Sequence, residues 1–383
     1  MPTQKKRPTR QRTFLIMAAS EGDSNILYAT GFFVPDPFIF FEHRGRKHVV
    51  MSDLEIDRAK REANVDSILS LSEIWRRLKR QGKGTTSTGD VLELIFKERG
   101  IRTLVVPSNF PVLLADDLRS RRFTVVVKKD PFFDEREKKS PIEVKKIQDS
   151  IRVAEIGLEA GIKALKRAKI GKDRYLYLGG RRLTSEALKT IVNTSIMARG
   201  WVPSHTIIAG GDQCCDPHNE GHGLLRAHTS IIFDIFPRSQ KTGFFGDLSR
   251  TVVRGRATER LKEAYEAVHL GQELAFKLIR DGVQGSSVHE KILHLFRQRG
   301  FLTGKINGRM QGFFHGTGHG LGLDIHEPPR IGVGNFTLRS GHVVTVEPGL
   351  YYVGVGGVRL EDVVMVTPNG NRNLTRYPKI LEI

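Results

Sequence analysis

Four short segments of this chain place carboxylates or imidazoles beside water-shy or glycine-rich sequence. The first reads TSIIFDIFPRSQKTGFFGDLSRTVV. Asp234 ends the apolar run Ile231-Ile232-Phe233, where a buried carboxylate is costly without a cation. Asp247 follows a turn containing Gly243 and Gly246 and leads into a strand-like run, Ser249–Val253. A hairpin would bring the two carboxylates together, although alone they read equally as turn aspartates capping strand ends. The second segment, HGTGHGLGLDIHEPP, sets His315, His319 and His326 among glycines, which let a backbone approach a site closely. It lacks the lysine of a phosphate loop, and Asp324–Pro329 cannot begin the helix of a dinucleotide fingerprint. Pro328 and Pro329 equally exclude a zinc-protease helix. The third and fourth segments, VVTVEPGLYY and GGVRLEDVVMVT, put Glu347 and Glu361 against apolar strands. Arg359, two residues before Glu361, is expected on the same strand face. Either glutamate alone also fits an exposed edge strand.

Together these segments supply four carboxylates and one central imidazole. Such hard, anionic ligands suit two divalent ions sharing carboxylates better than one structural zinc, which prefers cysteine and histidine. Two ions so held lower the pKa of a bridging water and polarise a carbonyl, which is the chemistry of amide and ester hydrolysis.

The elements that must position these residues divide into two sets. In the first, Phe38–Phe41, His48–Met51, Thr103–Val106 and Phe123–Val127 read as strands. Between them lies a helix with Asp90 as N-cap, Glu93 three residues on and Gly100 as its stop. This alternation predicts an α/β domain. After the charged stretch 128–139, Ser140, Pro141 and Glu143 spell a helix start with a capping box. Val144, Ile147, Ile151, Ala154 and Leu158 follow at helical spacing. The domain boundary is therefore expected near residue 140, giving a basic tail (1–12), an N-terminal domain (13–139) and a second domain (140–383). Within the second domain, Thr258–Arg280 and a segment opened by Ser287 and Glu290 read as helices. The strand-like runs Ile231–Phe236, Ser249–Val253, Val343–Val346 and Asp362–Val366 surround them, an α+β pattern.

The 383 residues carry a formal charge of +19, a balance that can mark nucleic-acid binding. Apart from the tail and the Arg76-Arg77-Lys79-Arg80-Lys83 cluster, however, the basic residues are scattered. No recognition helix or zinc finger accompanies them, so a solvated basic surface is expected. Cys214 and Cys215 are adjacent and exclude a disulfide framework. They read as buried thiols at a strand-to-loop transition. The apolar run after the basic tail is too short for a signal peptide, and no stretch reaches the length of a membrane span. A cytoplasmic location is expected.

The order Asp, Asp, His, Glu, Glu in FDIF…GDLSRT, HGTGHGLGLDIHEPP, VEPGLYY and VRLED resembles the pita-bread metallopeptidases (M24), which include prolidase, Xaa-Pro aminopeptidase and methionine aminopeptidase. EKKSPIEVKKIQDSIRVAE is similar to the start of that family's catalytic domain. NILYATGFFVPDPFIFF resembles the creatinase-type N-terminal domain of prolidases. The resemblance implies a pita-bread catalytic domain preceded by a smaller α/β domain, and an exopeptidase acting on N-terminal, Xaa-Pro bonds. It implies that Asp234 binds one metal, that Asp247 and Glu361 bridge both, and that His319 and Glu347 complete the other shell. Glu347 would also handle the proton. His326 would contact the substrate carbonyl or tetrahedral intermediate, and His315 and Arg359 would line the pocket. His218 would contact substrate or assist the leaving group, with His222 a neighbouring substrate-binding candidate. Two divalent ions (manganese favoured over cobalt, zinc or iron), a peptide substrate and a homodimer follow from the same likeness. The alternatives are a methionine-type aminopeptidase, or a non-catalytic pita-bread protein binding nucleic acid or a protein partner. Two departures stand out. The Asp234–Asp247 stretch is somewhat longer than the family's usual spacing, so Phe244 or Phe245 is expected to reshape the pocket. LLRAHTSIIFD also stands where relatives often carry a Gly-Asp turn.

Overall fold

The computed structural model describes residues 12–84 and 86–383. Of the basic tail, all but Arg12 lies outside the described residues. The chain divides into two compact units, Met1–Arg136 and Glu137–Ile383.

The first unit is an α/β layer built on a six-stranded mixed sheet. Thr13–Ala18 pairs antiparallel with Phe38–His43 and parallel with Thr103–Pro107. Arg46–Met51 and Ser67–Ser70 extend one side, and Thr124–Lys128 the other. The helix placed at Asp90 spans Thr88–Glu98, and its N-cap is Ser87 rather than Asp90. Asp90 sits three residues in and returns its carboxylate to the Ser87 N–H at 2.9 Å, completing a capping box. The Arg76–Arg80 cluster lies on the helix Leu71–Arg80, which buries Ile74 and Leu78 and leaves its basic side chains exposed.

In the second unit two antiparallel sheets are each covered by a pair of helices. Ser140 caps the helix Pro141–Arg167 with Glu143 closing the box, as its residue types dictate. This helix packs with Ser185–Met197 over the sheet Ile207–Gly210, Ser230–Asp234 and Ser249–Val253. A Cβ on Gly161 would come within 2.7 Å of the Phe233 ring, so glycine there is what lets helix and sheet close. The helices Glu259–Leu278 and Gly285–Gln298 cover a five-stranded sheet in the order Glu327–Ile331, Gly318–Gly320, Val343–Val346, Asp362–Thr367 and Gly370–Asn373. Ser287 and Glu290 do not open the second of these. Its N-cap is Gln284, and Ser287 Oγ donates back to the Gln284 carbonyl. The architecture is α+β. Cys214 and Cys215 are free and buried within a 3-10 turn, Gly211–Cys215. No helix among the described residues is long and apolar enough to cross a membrane.

Candidate metal centre

The hairpin forms. Ser230–Asp234 pairs antiparallel with Ser249–Val253, with Asp234 opposite Ser249. The Ile235 N–H donates to the Leu248 carbonyl at 3.0 Å, which brings Asp247 back beside Asp234. His319 arrives on the short strand Gly318–Gly320. Its close approach to Val343–Val346 requires Gly318, since a Cβ there would lie 1.9 Å from the Thr345 carbonyl oxygen.

Glu347 and Glu361 occupy matching breaks in one long ribbon. Val343–Val346 pairs with Asp362–Thr367 as far as Val346 opposite Asp362. Beyond the break Gly349–Tyr352 pairs with Gly356–Arg359, beginning at Gly349 opposite Arg359. Arg359 and Glu361 therefore do not share one continuous strand; Leu360 and Glu361 lie in the break. Each glutamate turns its backbone N–H away from the ribbon. Glu347 donates to the Thr317 carbonyl at 2.7 Å, and Glu361 to the Ser249 carbonyl at 3.1 Å.

These elements bring the side chains together. Ligand atoms of Asp247, His319 and Glu361, all three buried, lie within 4.8 Å of one another. Glu347 Oε1 is 3.2 Å from His319 Nε2, and Asp247 Oδ2 is 3.8 Å from the same nitrogen. Asp234 stands slightly apart, its Oδ2 held by Arg359 at 2.7 Å. His319 Nδ1 lies 3.1 Å from the Gly320 carbonyl, which can only accept, so the proton sits on Nδ1 and Nε2 is the free ligand atom. Thr345 Oγ1 accepts the His319 N–H and donates to Glu347 Oε1, tying the two together.

Burial, reinforced by Asp234 and Glu347, pushes the Asp247 carboxyl well above the usual range. Glu361 is pushed up in the same way by burial, Asp247 and Glu347. Burial opposes ionisation of Glu347 too, but the His319 contact holds it low. His319 answers in kind: burial alone would lower it, and Glu347 and Asp247 raise it. Four carboxylates this close cannot all ionise against one imidazole and the Arg359 guanidinium. Two divalent cations would balance their four charges, and oxygen donors with one imidazole suit such ions. The donor set fits a dinuclear site.

All five residues line one cavity of about 1000 Å³, with His218, His315, His326 and Arg359. His315 Nδ1 donates to the Gly316 carbonyl, and its Nε2 meets the Tyr351 hydroxyl at 2.8 Å. Burial lowers both His315 and His326 to about 4, so each is neutral near pH 7. The His326 ring stands edge-on to His319, centroids 4.4 Å apart. Arg359 is only 3 % exposed. Its donors are spent on Asp234, Ser249 Oγ, the Pro217 carbonyl and the Tyr351 hydroxyl.

Two expectations fail here. His222 is exposed and absent from the cavity lining, its backbone paired with the Gln213 side chain. Phe244 and Phe245 do not line the cavity either; Phe236, Phe313 and Phe314 do. The long hairpin tip folds onto Arg238–Ser239, with the Ser239 N–H bonded to the Phe244 carbonyl, so the extra length is absorbed away from the site. Sequence reasoning also missed Tyr351, Thr345 and Arg330. Arg330 is exposed on the cavity lining, and among the described residues no hydrogen bond or ion pair engages its guanidinium. Its signal was a lone cation directly after Pro328-Pro329.

A family model for metallopeptidase family M24 matches residues 145–368. Over 336 residues the chain is 27% identical to a Xaa-Pro dipeptidase of Pyrococcus horikoshii, covering 86% of this chain and 84% of that protein. It is 35% identical over 178 residues to an uncharacterised peptidase of Bacillus subtilis, covering 46% of this chain and 48% of that one. The fold superposes on an X-Pro aminopeptidase from Thermotoga maritima with a TM-score of 0.80 at 21% identity, over 97% of this chain and 98% of the other.

Proposed function

Because the chain belongs to metallopeptidase family M24, we propose that its cavity is a dinuclear hydrolytic centre that removes an N-terminal residue from peptides at Xaa-Pro bonds. The observation that carries this reading is the convergence of Asp247, His319 and Glu361 with Glu347 and Asp234 in a cavity that His218, His315 and His326 also line. Asp234, Asp247, His319, Glu347 and Glu361 would hold the ions. When bound, two divalent cations would acidify a water and polarise the scissile carbonyl. Manganese fits the oxygen-rich set best. Glu347, whose Oε1 accepts from Thr345 Oγ1, takes the proton from water and returns it to the departing nitrogen. Neutral His326 donates a hydrogen bond to the carbonyl oxygen as charge develops there. Arg359 holds Asp234, and Tyr351 couples that pair to His315. His218, exposed on the lining, faces the substrate or leaving group. The relative from Pyrococcus horikoshii that matches most of the chain is a Xaa-Pro dipeptidase, which supports the substrate class. A homodimer and a cytoplasmic setting, the latter in keeping with two free buried thiols, complete the proposal.

Arg330 bears on substrate length. An unpaired guanidinium on the cavity lining suits the C-terminal carboxylate of a dipeptide. Manganese-loaded protein assayed side by side on Xaa-Pro dipeptides, longer Xaa-Pro peptides and methionyl peptides tests both points. Dipeptides should be cleaved best. Arg330→Ala should raise their KM about tenfold, the worth of one charge-assisted contact, with a smaller change for longer peptides. Preferential cleavage of methionyl peptides would overturn the Xaa-Pro reading.

A further inference from the structure

Gln272 lies on the inner face of the helix Glu259–Leu278, between Val268 and Ala275, and is fully buried. Its Nε2 donates to the Val346 carbonyl at 2.8 Å and to the Leu360 carbonyl at 3.1 Å. These are the peptide oxygens immediately before Glu347 and Glu361. One amide thus clamps both strands where their mutual pairing is interrupted, and where a backbone bond crossing the gap, Leu360 N–H to the Pro348 carbonyl, is stretched to 3.5 Å.

Among the described residues nothing donates to Gln272 Oε1, a buried acceptor left without a partner. Such a group is a cost that an apolar side chain of similar length would avoid. Leucine or methionine would fill the same space in a core made of Ala264, Val268, Ala275, Val346, Leu360 and their neighbours. What only the amide supplies is two N–H donors diverging from one planar nitrogen. Those donors fix the separation of two carbonyls, and through them the origins of two glutamate side chains. Ligand geometry is sensitive to such outer contacts.

We infer that Gln272 is a positioning residue that sets the spacing between Glu347 and Glu361, and through it the affinity of the centre for its second ion. The inference rests on the proposed ligand roles of those two glutamates. The test is calorimetric titration of manganese into metal-free protein, together with the visible spectrum of the cobalt-loaded form. Wild type, Gln272→Met and Gln272→Leu are compared with Ile292→Val, a trimmed residue of the same core. The two Gln272 variants should bind the weaker ion 10–100-fold less tightly and show an altered cobalt spectrum. Ile292→Val, even at a similar loss of Tm, should bind as wild type does. Whichever Gln272 variant folds, wild-type affinity and an unchanged spectrum would overturn the inference alone. A wild-type chain that takes up no metal would overturn the ligand assignment first, and this inference with it.

Discussion

At the scale of single residues, the centre is an arrangement of groups that oppose one another. Asp247 and Glu361 resist ionisation because they are buried beside other carboxylates, and Glu347 ionises despite burial chiefly because His319 lies against it. Removing one shared carboxylate should therefore disable the centre without unfolding the chain. Asp247→Ala is expected to cost more than about 100-fold in kcat/KM, with the thermal midpoint of the metal-free protein little lowered or even raised. Full activity with two ions still bound would dismiss the assignment. These residues were legible in sequence because each stands where its type is anomalous, a carboxylate ending Ile231-Ile232-Phe233 or a histidine among glycines. Thr345 and Gln272 were not legible. A threonine in a strand and a glutamine in a helix are ordinary, and only the contacts reveal their use. Arg359 was expected on the pocket from the resemblance and does line the cavity, but its partners Asp234 and Tyr351 were not legible.

At the scale of elements, close approach decides the geometry. Gly318 lets the His319 strand lie against Thr345, and Gly318→Ala would drive a methyl group into a carbonyl. The expected result is a loss of about 1–3 kcal/mol in stability, with a fall in metal affinity exceeding that of a core variant of equal Tm. Denaturant titration and calorimetry on one preparation separate the two effects. The helix Pro141–Arg167 was readable because its start is spelled by local cap chemistry. Ser87 and Asp90 misled because both are cap residues, and sequence alone does not say which is N-cap and which reaches back. The helix Ser185–Met197 escaped notice because Thr190, Ile191, Val192, Thr194 and Ile196 are β-branched and look strand-like. Its buried Leu188, Val192 and Ile196 keep helical spacing, and packing on Gly157 and Gly161 overrides the propensity. The breaks at Glu347 and Leu360–Glu361 were invisible, because sequence does not show where two strands stop pairing.

At the scale of the whole molecule, charge and proton uptake matter more than any one contact. The net +19 was expected to be a solvated surface, and the helix Leu71–Arg80 carries its share in that way. Buried histidines couple folding to pH. His342 accepts the Arg339 N–H on Nδ1, and burial with the nearby Lys139 and Lys138 lowers it from 6.5 to about 4. The unfolded chain takes up a proton below 6.5 that the folded chain refuses until about 4. The stability contributed above 6.5 is therefore lost progressively as pH falls through that window. His315 and His326 act in the same direction. His342→Asn keeps the acceptor and removes the titration, so the contribution of this site to the pH slope of urea stability between 6.5 and 4 should be lost and the slope should become shallower. An unchanged slope would show that His342 does not titrate there. One last consequence concerns motion. The N–H of Glu347 is held two residues before His319, and that of Glu361 two residues after Asp247. The two glutamates lie in turn on the same ribbon. The Phe245 N–H, bonded to the Gly322 carbonyl at 2.9 Å, joins the first hairpin to the His319 segment and closes the linkage. A member that drifts should therefore carry the others with it, so that the distances between ligands fluctuate less than the ligands themselves.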